Sequence, residues 1–265
     1  MTTTVGHDGE VFLRNPKTNE FVSSIGLIGG TKEKPLPIPH LGQGFALQED
    51  NVTVEFNIPP ATNSQAFISS ISSALSEIRR RAFALGLEVA IDSSAEFPSS
   101  ELEHPNARTA GCTVDYNAWT MLENSRPDLS KTNLRTSGGH IHIGTNAKPF
   151  AVIRACDYFL GIASVVLDKD HQRRKLYGSA GSFRFTPWGV EYRSLSNFWL
   201  KDPTLMSWVF DATLGAVREA SRSGIDTTFM MNHSGSIQNI INEGKVDLAY
   251  RFIKDHGIKI PNVFF

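Results

Sequence analysis

The segment Gly138-Gly139-His140-Ile141-His142-Ile143-Gly144 sets two imidazoles two residues apart. In a strand, alternate side chains point to opposite faces. His140 and His142 therefore share one face, and Ile141 and Ile143 share the other. Three more strand-like stretches repeat this spacing with Asp8/Glu10, Glu55/Asn57 and Glu191/Arg193. Alternation alone is normal for an antiparallel sheet with one wet face. Taken singly, Asp8/Glu10 reads as a solvated strand face, and Glu191/Arg193 as a cross-strand ion pair. Taken together, the residue types matter more. Carboxylates, imidazoles and an asparagine are metal-ligand types. Several carboxylates on one face repel one another and hold protons more tightly unless a cation neutralises them, and a bound divalent metal is the simplest resolution. Oxygen-rich ligands with one or two imidazoles suit Mg2+ or Mn2+ better than structural zinc. Arg193 beside Glu191 then suits a phosphate fork.

The chain around these pairs has 265 residues, 40% of them hydrophobic, which is enough to bury a full core. Lys and Arg number 26 against 27 Asp and Glu, a net charge of −1 that gives no long-range pull toward nucleic acid or an anionic membrane. The two cysteines, Cys112 and Cys156, cannot make a disulfide framework and point to a reducing cytosol. The N-terminus shows no secretion signal. The most apolar run, 150–167, is interrupted by Arg154 and Asp157 and reads as a buried helix rather than a membrane span.

The elements that would carry the pairs follow from period and punctuation. A strand is expected over 6–13, a turn at 15–19, and a returning strand within 20–28. The stretch 29–39, rich in Gly, Pro and Lys, reads as a loop, an ordinary surface connection ahead of the alternative of a mobile cover over a site. Strands over 45–48 and 52–58 join at Asp50-Asn51, residues that tolerate positive φ. Apolar residues at three- and four-residue steps make 65–85 a helix, with Arg79, Arg80 and Arg81 at its solvated end. A short strand follows at 87–91. Strands are expected at 138–144, 182–186 and 189–195, and helices at 150–168, 237–241 and 246–256. Asp202-Pro203 opens a helix to about 222. The Gly178–Ser182 loop could take phosphate on its amides.

On these residues the chain resembles the phage-type carboxylate–amine (COOH–NH2) ligases, a branch of the glutamine synthetase and glutamate–cysteine ligase superfamily. The resemblance runs from Gly6 to about Trp199. It rests on Gly6-x-Asp8-x-Glu10, Val54-Glu55-Phe56-Asn57, Gly111-Cys112-x-x-Asp115-Tyr116-Asn117-Ala118-Trp119, the His-x-His strand, and Gly189-Val190-Glu191-Tyr192-Arg193-Ser194-Leu195-Ser196-Asn197-Phe198-Trp199. It implies an α+β fold, with a curved antiparallel sheet and helices packed on its outer face, like the glutamine synthetase catalytic domain. It implies one catalytic domain over 1–265, ATP, and two or three Mg2+ or Mn2+ ions. By the resemblance, Asp8, Glu10, Glu55, His140 and Glu191 bind metal and Arg193 handles phosphate. Glu191, Arg193 and His140 form the catalytic set. Asn57, His142, Arg135 and Arg184 are nucleotide or acyl-phosphate contacts. Gly9 stands where the family's first motif often has proline.

The activity so implied is ATP-dependent joining of a small-molecule or peptide carboxylate to an amine through an acyl phosphate. No nucleic-acid or membrane partner is expected. The chain would work in the cytoplasm, the host's if it is phage-encoded, and superfamily members often form homo-oligomers. Two rival readings share the same residues. A metal-dependent hydrolase would use the His-x-His pair and carboxylates without ATP. A binding protein would keep the fold without catalysis. Cys112 reads as a small packed residue.

Overall fold

The structure, a computed structural model, describes residues 2–108, 114–125, 127–222 and 225–262, with the side chains of 225–227 left aside. Cys112 lies outside the described residues.

The strands are β1 (Thr4–Arg14), β2 (Phe21–Val22), β3 (Leu36–Pro37), β4 (Ala46–Asp50), β5 (Thr53–Asn57), β6 (Glu88–Ala90), β7 (Ser94–Glu96), β8 (Tyr116–Asn117), β9 (Leu134–Thr136), β10 (Gly139–Gly144), β11 (Ser182–Thr186) and β12 (Gly189–Tyr192). The helices are α1 (Ser64–Ala84), α2 (Pro149–Cys156), α3 (Ile162–Leu167), α4 (Arg173–Leu176), α5 (Pro203–Ser221), α6 (Ile225–Asn232), α7 (Ser234–Glu243) and α8 (Val246–His256). The main sheet runs β3-β4-β5-β1-β10-β12-β11-β8, with β2 and β6 also paired to β1. The pairs in its ladder are antiparallel. β7 and β9 form a separate pair, which sequence period did not mark.

The α+β class, the antiparallel sheet and the packed helices are as expected, but the curved shape is not. The sheet is an open path with two free ends, neither curled nor closed. Two features explain this. β1 divides its length between ladders: residues 4–11 pair with β10 and β5, and residues 12–14 pair with β2 and β6. The sheet therefore forks where a wrapped sheet would continue. The terminal strands are also only two residues long, and Pro37 in one of them has no N–H to extend the ladder. Side-chain alternation reports which residues share a face. It says nothing about how far the sheet bends.

One face of the sheet carries the core. Val5, Val11, Val54, Phe56, Ile141, Ile143, Val190 and Tyr192 point into it and are closed over by α1, α2 and α5. α1 begins where Asn63 caps the Ala66 amide at 2.8 Å. Its buried stripe is Phe67, Ile71, Ala74, Leu75, Ile78 and Ala82. Fully burying each large apolar side chain stabilises the fold by about 1.5–3 kcal/mol. The helix stops at Gly86, whose φ of 73° favours glycine. Arg80 and Arg81 do not simply meet solvent, because both bind buried Glu77. Asp202 caps α5 through the Thr204 amide at 2.6 Å, with Pro203 at the first helical position. The apolar run is a helix as expected, interrupted by a π-helical segment at Asp157–Gly161. It is long and apolar enough to cross a membrane by composition, yet most of it is buried in the protein.

Asp157 in that segment ties the helix layer to the sheet. Fully buried, it accepts hydrogen bonds from Trp119 Nε1 at 2.6 Å and Tyr192 Oη at 2.8 Å. Burial pushes its carboxyl up to about 7, although these donors pull the other way. Its folded pKa is thus raised above the unfolded value near 4. The stabilisation tied to its proton is complete below about pH 4 and is lost as pH rises through about 7. The advantage of wild type over Asp157→Asn in melting temperature should therefore shrink steadily from pH 4 to 7. A constant difference across that range would show that Asp157 keeps an ordinary carboxylate pKa.

Candidate active site

The opposite face of the sheet gathers the polar pairs. Register places them in rows. Asp8 lies opposite Asn57 on one side and His140 on the other, Glu10 lies opposite Glu55, and His142 lies opposite Glu191. Arg184 lies opposite Glu191 from β11, and Gln48 lies opposite Glu55 from β4. Four segments far apart in sequence thus deliver their side chains to one surface.

His140 and His142 do share a face, and both turn toward Asp8. His142 Nε2 is 3.1 Å from Asp8 Oδ2, and His140 Nδ1 is 3.5 Å from Asp8 Oδ1. His140 Nδ1 also lies 3.6 Å from Glu191 Oε1 and 3.3 Å from Arg193 Nη1. Arg193 makes a close ion pair with Glu191. Arg184 adds a longer contact to the same carboxylate at 3.7 Å.

Two clusters of ligand atoms result. Asp8, His142 and Glu191 bring one ligand atom each to within 4.8 Å of one another, and so do Glu10, Asp50 and Glu55. Their electrostatics differ. Burial would raise Asp8, but His142 and His140 outweigh it and hold the carboxyl well below its usual range. Burial would also raise Glu191, and Arg193 beside it wins, so its pKa falls. His142 is pushed down by burial and up, more strongly, by Asp8 and Glu191 together. At the other cluster burial prevails, although His140 and Arg173 draw Glu10 downward. Burial raises Glu10, and Glu55 rises well above the carboxylate range through burial and the repulsion of Asp8, Asp50 and Glu10. Gln48 Nε2 donates to Glu55 at 2.8 Å and offsets only part of this.

The donor set fits divalent cations. The three acids of the Glu10 cluster repel unless a cation joins them. Asp8 Oδ1 is buried and makes no hydrogen bond. Oxygen donors with one imidazole suit Mg2+ or Mn2+.

The backbone behind the site is built for close approach. A Cβ at Gly139 would collide with the Ser196 carbonyl and Trp199 Nε1. His7, on the core face, makes a 2.7 Å bond from Nδ1 to the His140 carbonyl oxygen, so Nδ1 carries the proton. Burial pushes this imidazole down to about 3, and it stays neutral. Trp199 packs on His7, with ring centroids 4.6 Å apart. The Leu195–Trp199 part of the motif is therefore a brace, not a binding surface.

Beside the clusters lies a cleft lined by Glu10, Asp50, His140, Arg173, Arg184 and Arg193, with Lys32, Asp115, Arg135 and Tyr177 also on its wall. Arg135 borders it but gives its guanidinium to the carbonyls of Ala107, Thr132 and Leu134 at 2.8–2.9 Å. Asn57 sits next to Asp8, half-buried. The Gly178–Ser182 loop does not present a free amide nest, because Asn242 takes the Ala180 amide and Ser179 takes that of Ser182.

Two residues of this site escaped the sequence reading. In the sequence Asp50 reads only as part of a turn. Gln48-Glu49-Asp50 repeats the two-residue spacing, and that signal could have found it. Arg173 stands in the basic stretch His171–Lys175, where the sequence gives it no separate role. It is buried, and its guanidinium reaches the carbonyls of Ser194 and Arg193 at 3.1 and 3.3 Å.

Carboxylates and imidazoles on one strand face, with arginines alongside, make a centre suited to anions held next to cations. The profile of the family described as Phage phiEco32-like COOH.NH2 ligase-type 2 matches residues 121–254, half of the chain, and the chain belongs to that family. The match includes both histidines, Glu191 and Arg193. Asp8, Glu10, Asp50 and Glu55 lie outside it and join the site only through the fold. Among solved structures the chain is similar to "Apo GmaS without ligand" at 12% identity, covering 99% of this chain and 71% of that one with a TM-score of 0.43. It is also similar to "GmaS/ADP complex-Conformation 1" at 12% identity, covering 98% and 72% with a TM-score of 0.38. No curated protein matches.

The contrast between the two candidate clusters predicts an order for cation binding. At Glu10–Asp50–Glu55 the neighbouring His140, Arg173 and Gln48 offset only part of the repulsion and an added cation would relieve the rest, whereas at Asp8–His142–Glu191 an ion would have to displace the internal partners. Mn2+ titration should show a tighter site that Glu55→Gln removes and a weaker one that Asp8→Asn removes. Saturation at about 100 times the dissociation constant should add about 2.7 kcal/mol of stability. Equal affinities, or a melting temperature indifferent to Mn2+, would contradict this.

Proposed function

We propose that the protein is an ATP-dependent carboxylate–amine ligase working through an acyl phosphate. Its substrates would be a small-molecule or peptide carboxylate and an amine, and it would act in the cytoplasm. Membership of a COOH.NH2 ligase family supports the reaction class. The observation that carries the reading is the position of Glu191. It is held by Arg193, approached by His140 and Arg184, and shares a ligand cluster with Asp8 and His142.

The chemistry asks for this arrangement. A carboxylate oxygen would attack the γ-phosphorus of ATP, the bond to the β-phosphate oxygen would break, and ADP would leave. The amine would then attack the acyl carbon, and inorganic phosphate would depart. Such transfers depend mainly on positioning and charge stabilisation. Glu10, Asp50 and Glu55, with Asp8, His142 and Glu191, would hold Mg2+ or Mn2+. When bound, these ions screen the negative charge of the phosphate oxygens. Arg193 would meet the transferring phosphoryl group, with Arg184 next to it, and His140 would orient Arg193 through its ring nitrogen. Asn57, opposite Asp8, would contact the nucleotide. The carbonyl bonds of Arg135 fit it for bracing the wall rather than gripping a phosphate.

The test is incubation with ATP, Mg2+ and pools of acids and amines, following ADP, phosphate and condensed product. Wild type should form ADP only when a suitable acid is present. Glu191→Ala and Arg193→Ala should lower that rate by about 10²-fold or more while melting as folded proteins. Turnover near wild type in either variant would remove that residue from the site. Hydrolytic products without ATP would favour the metal-hydrolase alternative.

A further inference from the structure

The helix layer holds a second cavity, of about 700 Å³, between α5, the π-helical segment, α6 and the chain that follows α8. That size fits a small-molecule ligand. Among the described residues, none that lines it also lines the catalytic cleft. α5 turns Val209, Phe210, Thr213, Ala216 and Val217 inward. Its other face presents Trp208, Asp211, Ala212, Gly215 and Arg218 to the cavity.

Three observations set this cavity apart from a gap between helices. The first is Gly215. It lies inside a helix, and a Cβ added there would meet only Arg218 Nη2, at 3.8 Å. Neither the backbone nor the packing asks for glycine, which weakens a helix interior relative to alanine. With Ala212 one turn earlier, it keeps the floor of the cavity open. The second is the aromatic wall. Tyr158 and Phe159 stand together on the π-helical segment with ring centroids 4.9 Å apart, and Phe229 of α6 meets Tyr158 edge-on at 5.8 Å. Trp208 closes one end, where its Nε1 donates to the Lys259 carbonyl oxygen at 3.3 Å and fixes the chain after α8 against α5. Phe229 is left exposed. The third is the charge around the floor. Among the described residues, Asp211, Arg218 and Lys259 make no ion pair and no side-chain hydrogen bond. Glu219, by contrast, is paired with Arg222 at 3.2 Å. Asp211 and Arg218 are two turns apart, about 10 Å along the helix axis, and the Arg218 guanidinium reaches back over Gly215.

An open floor between an unpaired acid and an unpaired base, walled by aromatic rings, suits a molecule with both charges and an apolar body. Its ammonium group would meet Asp211 and an aromatic face. Its carboxylate would meet the Arg218 fork, with Lys259 adding charge. Its apolar part would fill the space above Ala212 and Gly215. An amino acid is such a molecule at neutral pH. A hydrocarbon would leave the charges unmatched, and a polyanion would meet Asp211. We propose that this cavity is a binding site for a free amino acid with an aromatic or large aliphatic side chain. The inference goes beyond the ligase reading and does not rest on it.

The test is calorimetric titration of the full chain with L-phenylalanine, without ATP or metal. One saturable site is expected. Phenethylamine, which lacks the carboxylate, and hydrocinnamate, which lacks the ammonium group, should each bind about tenfold or more weakly. Gly215→Leu should fill the floor and abolish binding while melting no lower than wild type. Arg218→Gln should weaken L-phenylalanine about tenfold and leave phenethylamine unchanged. No saturable binding of L-phenylalanine would overturn the proposal. Binding that survives Gly215→Leu would also overturn it, because the amino acid would then sit elsewhere, the catalytic cleft included. Equal affinity for all three probes, or an Arg218→Gln protein that binds each as wild type does, would leave an apolar slot without charge recognition and sink the amino-acid assignment. The ligase reading is judged by acid-dependent ADP formation, so either can fail while the other stands.

Discussion

Like charge crowded onto one partly buried surface is the constraint on which this molecule depends. Asp8, Glu10, Asp50, Glu55 and Glu191 share one sheet face, and desolvation opposes ionisation at Asp8, Glu10, Glu55 and Glu191. No apolar packing relieves that repulsion. Half of the face solves it from within, through the His142–Asp8 contact and the Arg193–Glu191 pair. The other half is relieved only in part, by His140 and Arg173 acting on Glu10 and by Gln48 on Glu55, and Glu55 holds its proton well above the usual carboxylate range. A fold selected only for stability would replace one of these acids. Retaining all of them costs stability, which is the familiar exchange at sites shaped for an ion and a phosphate.

The rest of the fold holds that face still. Strand pairing carries the load, since β1 is paired on both sides along the stretch that bears Asp8 and Glu10. Behind it, the neutral His7 imidazole fixes the carbonyl of His140, and Trp199 packs against that ring. Asn197 Nδ2 donates to the Glu10 carbonyl oxygen at 2.9 Å. Arg173 holds the carbonyls of Arg193 and Ser194 from the side, so the phosphate-facing arginine stands on a backbone secured by another arginine. Burial lowers Arg173 to about 10, which still leaves it charged at neutral pH.

Much of this was legible in the sequence because a strand's period is two and leaves no freedom about faces. Once His140, Asp8, Glu55 and Glu191 are placed in strands, their faces follow, and the antiparallel order brings those faces together. What period cannot encode is what a neighbour in space will do. Arg135 has the residue type of a phosphate contact, yet three carbonyls from 107, 132 and 134 claim its guanidinium. Asp50 was hidden by its own turn chemistry. It precedes Asn51, whose φ of 55° confirms the turn, and a residue that explains a turn invites no second role. The curvature expected from the resemblance failed for another reason. Sheet shape depends on how far each strand extends and what its edges can pair with, and a motif carries neither.

The division between what the family profile matches and what it does not has a physical reading. Residues 121–254 supply the imidazoles, Glu191 and the arginines, whereas β1, β4 and β5 supply the remaining acids. The Asp8–His142–Glu191 cluster straddles that boundary. It needs β1 docked against β10, and it ties the cation-poor half of the site to the arginine-bearing half through one carboxylate. Asp8 is accordingly the residue whose position reports on both halves at once. Its Oδ2 meets His142, its Oδ1 faces His140 without a hydrogen bond, and its charge helps to push Glu55 upward. A shift of β1 by one residue would turn Asp8 and Glu10 into the core and His7 and Gly9 toward the cleft. The buried His7 contact to the His140 carbonyl works against that slip, so the packing on the core side sets the register on which the charged side depends.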